Sequence, residues 1–73
     1  MSERANELKK LTAIATDLEL SAKLRIKAIE LIGSFGSHDA LLALLELAAN
    51  ERLITEERDF ALKYAREIIK SGH

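Results

Sequence analysis

The stretch Ala28-Ile29-Glu30-Leu31-Ile32-Gly33-Ser34-Phe35-Gly36-Ser37-His38-Asp39-Ala40-Leu41-Leu42-Ala43-Leu44 decides the fold. An apolar run at helical spacing meets two glycines three residues apart, and a serine then opens a second apolar run. Glycine is the residue that ends a helix in a left-handed turn, and serine is a preferred helix N-cap. The stretch therefore reads as two helices joined by a tight turn.

Outward from that turn, the preceding helix begins at Ser21, a good N-cap, and runs to about Ser34. The following helix starts near Ser37 or Asp39 and ends around Asn50. Upstream, Leu8, Leu11, Ile14, Ala15 and Leu18 keep a spacing of three to four, predicting a first helix over about 2–16, capped by Ser2. Residues 17–20 form a short connection. Downstream, residues 51–54 connect to a fourth helix that Thr55 can cap, with Glu56 and Glu57 suited to its positive end, and that ends at about Lys70. Short loops between helices imply antiparallel neighbours. The domain is expected to occupy residues 1–70, with 71–73 as a disordered tail.

Composition agrees with an all-α protein. The 73 residues include 24 Ala plus Leu, no proline and no valine. Ala and Leu favour helices, and β-branched residues are scarce. Absent cysteine excludes disulfides, thiolate metal sites and a cysteine nucleophile. A net charge of −1 argues against a nucleic-acid binder held by phosphate neutralisation. The longest apolar run, Ala40 to Leu45, is far shorter than the roughly 18 residues a membrane span needs. A soluble, cytoplasmic protein is expected.

Sliding the sequence on itself by 33 positions superposes Leu8, Leu11, Ile14 and Ala15 on Leu41, Leu44, Leu47 and Ala48. Asp17 falls on Asn50, Leu20 on Leu53, Arg25 on Arg58 and Ala28 on Ala61. A period in this range marks helix-pair repeats, in which no pair buries its own apolar stripe. The residues of the opening stretch, with Arg25 and Arg58 early in the first helix of each unit and Asp17 and Asn50 at the preceding turns, resemble the HEAT repeat, particularly the short bacterial and archaeal HEAT-like kind. Ser37, His38 and Leu42 stand where that family usually has its turn proline and aspartate. The resemblance implies a short α–α solenoid of about two helix pairs in permuted phase. It also implies that the two arginines and their turn residues are structural bridges between repeats.

Helical geometry then suggests where each face lies. Residues 37–50 are apolar over about 220° at 100° per residue, more than the stripe of an ordinary surface helix. Leu42, Leu45 and Ala49 correspond to Lys9, Thr12 and Thr16, so this flank is expected against the first helix. Ile26 and Gly33 correspond to Asp59 and Arg66, so the second helix is expected to meet the fourth on that side. Unless the fourth helix tilts over them, Ala40, Leu44 and Leu47 then face an empty position that another chain would cover.

No constellation points to catalysis, a cofactor or a metal. His38 and His73 do not make a metal-binding pair. Glu56, Glu57 and Asp59 read as the exposed start of a helix, and Phe35, Phe60 and Tyr64 as core rather than stacking platforms. The expected function is a non-enzymatic protein–protein interaction module, an adaptor, regulator or assembly subunit. The resemblance to HEAT-like repeats implies a presented surface on the second helix of each pair, here Asn6, Lys10, Ala13, Asp39, Ala43, Glu46 and Asn50. The expected interface comprises Ala40, Leu44 and Leu47 with Ala43, Glu46 and Asn50. Its partner is another protein chain, or a second copy in a structural homodimer.

Overall fold

The structure is a computed structural model that describes residues 3–72. Four helices follow one another: α1 (Glu3–Ala15), α2 (Ala22–Phe35), α3 (His38–Ala48) and α4 (Thr55–Lys70). The protein is all-α, and no helix among the described residues is long and apolar enough to cross a membrane. The expected cap Ser2 and the terminal His73 lie outside the described residues.

Punctuation works largely as read. Ser21 caps α2 by accepting from the Leu24 N–H, and Ser37 caps α3 by accepting from the Ala40 N–H. Gly36 closes α2 at φ 62°, with its N–H donated to the Gly33 carbonyl, a conformation that a Cβ would strain. Helix α4 differs from expectation. Thr55 is its first residue, Ile54 holds the cap position, and no side chain caps it. Ile54 is the repeat counterpart of Ser21, so the register is kept while the capping oxygen is lost. At the other end Ser71 and Gly72, expected in a disordered tail, continue the last turn of α4. The Ser71 N–H reaches the Glu67 and Ile68 carbonyls and the Gly72 N–H the Ile69 carbonyl.

Helices α1 and α2 pack together, as do α3 and α4, and α2 lies along α4. By contrast α1 barely touches α3. The shared core consists of Ala15, Ala28, Ile29, Ile32, Ala40, Leu41, Leu44, Leu47, Leu53, Ala61, Ala65 and Ile68, with Phe35, Phe60 and Tyr64 half-buried against it. Five of these twelve are alanines, which lets the backbones approach closely. Gly33 carries this furthest: a Cβ there would lie 2.8 Å from Cγ and Cδ1 of Tyr64. The expected apposition of Gly33 to the fourth helix is therefore present, and Asp59 and Arg66 are exposed.

The flanks of α3 are exchanged relative to the sequence reading. Ala40, Leu44 and Leu47 are 0%, 0% and 1% exposed, so they are core and face no empty position. Leu42 and Leu45, expected beneath the first helix, are 48% and 40% exposed. The cause is the placement of the neighbours. Helix α3 packs most extensively on α4, whereas α1 packs on α2 and touches α3 little.

The 33-residue repeat recurs in the hydrogen bonds of the turns. Asp17 Oδ1 accepts from the Glu19 N–H at 3.0 Å, and Asn50 Oδ1 accepts from the Arg52 N–H at 2.9 Å. The Leu20 N–H donates to the Asp17 carbonyl and the Leu53 N–H to the Asn50 carbonyl, each at 3.1 Å. An Asx turn in each unit uses the short polar side chain to hold its own backbone two residues on.

Candidate functional site

Polar groups are buried together at the Arg25–Glu57 pair, and an open groove separates α1 from α3.

Arg25 and Glu57 are 7% and 0% exposed. The Arg25 Nε and Nη2 both approach Glu57 Oε2, at 2.9 and 2.8 Å. Its Nη1 donates to the carbonyls of Leu20 and Asp17. One guanidinium thus ties the α1–α2 turn to the first turn of α4. The expected bridging role of Arg25 is present, but its turn partners are backbone carbonyls rather than the Asp17 carboxylate. Arg58, its repeat counterpart, donates Nε to the Ala48 carbonyl at 3.0 Å. The sequence reading had Glu57 on an exposed helix start; burial against Arg25 corrects that. The repeat gave no signal of this, since it aligns Glu57 with Leu24, which is 53% exposed. Glu57 Oε1 is buried with no hydrogen-bond partner among the described residues. With Glu57 fully buried and held by Arg25, the pair joins the α1–α2 turn to α4.

The groove is the larger feature, about 500 Å³ and open along its length. Leu8 and Ala13 of α1 and Leu42 and Ala43 of α3 give it an apolar floor, joined by Thr12, whose hydroxyl donates to the Leu8 carbonyl. Lys9 stands on the α1 wall, Asp39 and Glu46 on the α3 wall. It exists because α1 and α3 diverge while their partners α2 and α4 stay together. Of the six residues expected at an interface, Ala43 and Glu46 line this groove, whereas Ala40, Leu44 and Leu47 lie in the core beneath. Asn50 is engaged in its Asx turn. Leu42 was missed as a surface residue because its apolar character and position suggested contact with the first helix. Ala13 and Asp39, expected on the presented surface, are both in the groove.

A smaller apolar hollow lies on the opposite face of α1, lined by Leu11, Leu31 and Phe35 with Glu7 and Lys10 at its rim. Among the described residues no group of three or more His, Asp or Glu could hold a metal ion. His38 is exposed at the first position of α3.

In comparisons with known proteins, no family model matches the chain, and no curated protein or solved structure matches it significantly.

Proposed function

We propose that this chain is a short HEAT-like solenoid serving as a non-enzymatic protein–protein interaction module, with the α1–α3 groove as its contact surface. The observation that carries the reading is the groove's combination of an apolar floor and walls of opposite charge. A helix or extended segment laid in it would bury Leu42 and Ala43. Acidic groups of that segment would sit toward Lys9 and basic groups toward Asp39 and Glu46. Such a charge pattern fixes the direction in which a partner lies more than the strength with which it binds. The duplicated Asx turns and the pairing of α2 with α4 support the solenoid assignment. The dry, convergent polar groups that chemistry requires do not converge in this groove.

The test is a variant carrying Leu42→Glu and Leu45→Glu. Both positions are roughly half exposed, so helix content by circular dichroism should stay within about 10% of the parent, as surface changes seldom perturb a fold. Capture from the source cell, read by native mass spectrometry, should recover one partner protein with the parent chain and not with the variant. Recovery of the same partner by both would sink the groove. Where the parent sediments as a dimer and the variant as a monomer, the partner is a second copy of the chain.

A further inference from the structure

The repeat shows what the outer edge of α4 is built to receive. On α2, the side turned toward α4 carries Arg25, Ile29 and Gly33. Arg25 meets Glu57, Gly33 meets Tyr64, and Ile29 is fully buried a turn from each. At the 33-residue offset the same positions on α4 are Arg58, Leu62 and Arg66, and no further helix covers them among the described residues. Leu62 is 37% exposed and Ile69, on the same side, 56%. Arg66 is exposed, and Arg58 uses only Nε, leaving its terminal nitrogens without a partner among the described residues. The result is a stripe of two cations and two aliphatic side chains, with Asp59 as the one carboxylate on its rim at 100° per residue.

A second copy does not fit this edge. Glu57, which satisfies Arg25 inside the molecule, has Leu24 as its counterpart on the free side of α2, and Tyr64 has Leu31. Lys27 stands between them, its ammonium 3.6 Å from the Glu30 carboxylate. Stacking copies end to end would set Leu24, and no carboxylate, on Arg58, with Glu30 already engaged by Lys27. We propose that the Arg58–Leu62–Arg66–Ile69 edge of α4 binds an acidic amphipathic helix of a partner protein. Its carboxylate meets Arg58 as Glu57 meets Arg25, and its apolar stripe covers Leu62 and Ile69. Arg66, in place of Gly33, keeps that helix further out than α4 lies from α2 and takes a second carboxylate. This surface is separate from the groove between α1 and α3.

The test uses a dye-labelled synthetic helix with the sequence of residues 55–70 carrying R58E and R66E, locked by a lactam between its Lys63 and Glu67. It retains the Glu57 and Tyr64 with which α4 itself docks. Anisotropy against the intact protein should saturate in the micromolar range in about 50 mM salt, weakening at about 0.5 M as screening shortens the reach of the arginines. Arg66→Glu in the protein should raise Kd at least about tenfold, and so should Arg58→Gln, with circular dichroism unchanged for the exposed Arg66. A control helix carrying E57Q, R58Q and R66Q should bind at least about tenfold more weakly than the acidic probe. The proposal is overturned if no saturation is reached by about 1 mM probe, or if Arg66→Glu binds like the parent. It also fails if a single-stranded oligonucleotide displaces the acidic helix through the same arginines, which makes the edge a polyanion site. Leu42→Glu with Leu45→Glu should leave probe binding intact. If that pair abolishes it, the edge proposal fails while the groove reading stands.

Discussion

Glu57 illustrates what one residue can decide in so small a domain. A carboxylate placed where the other repeat has Leu24 carries a desolvation cost that only a close cation can offset. Arg25 supplies it with two nitrogens on one oxygen, and spends its third nitrogen on the turn carbonyls. Removing one partner strands the other. Arg25→Met alone, or Glu57→Met alone, should therefore cost about 3–5 kcal/mol, enough to leave much of a domain this size unfolded at 25 °C. The double substitution should recover most of that loss, because two apolar side chains need no partner in the same space. Urea denaturation of the three variants measures this; a double variant no more stable than either single one would mean that the pair also fixes the geometry of the turn. Neither Arg25 nor Glu57 betrays this pairing by its type. Arg25 was legible as a bridging residue through its repeat position, but its carboxylate partner lies 32 residues away and depends on how α4 meets α2.

Between elements, the contact of α2 with α4 rests on Gly33. In an exposed helix, glycine to alanine gains about 1 kcal/mol of helix propensity. At Gly33 the new methyl would lie 2.8 Å from the Tyr64 ring, and overpacking of this kind costs typically about 1–3 kcal/mol. Gly33→Ala should therefore lower the thermal midpoint, and Gly33→Ala combined with Tyr64→Ala should behave as a cavity variant relieved of the clash. Calorimetry distinguishes the outcomes: a midpoint that rises in Gly33→Ala alone would show that Tyr64 swings aside at no cost. The helices and the turn at Gly36 were readable from the chain because local chemistry sets them. The start of α4 was less so. Thr55 carries a capping side chain, yet the position of the cap follows the repeat register, which places Ile54 there.

Across the whole molecule, the decisive event is the divergence of α1 from α3 while α2 and α4 remain in contact. It opens the groove, leaves Leu42 lining it and Leu45 exposed, and turns Ala40, Leu44 and Leu47 inward. Leu47, 1% exposed, shares the core with residues from all four helices. Leu47→Glu should thus bury an unpaired carboxylate and abolish cooperative folding, with far-ultraviolet circular dichroism losing most of its helical signal. A folded, helical Leu47→Glu monomer would instead restore the open flank that helical geometry alone suggested. Of the six interface residues expected from sequence, the groove retains Ala43 and Glu46. The other four are committed to the core or to a turn.

Read alone, the sequence determined the number of helices, the places where they break and the 33-residue repeat. All of these follow from interactions within a few residues along the chain, or from a period that is written twice. Tertiary structure alone decided which flank of α3 is covered and that Glu57 is inside. Periodicity places a side chain at an angle around its helix axis, but the side on which a neighbouring helix lies is set by how closely several helices can approach at once.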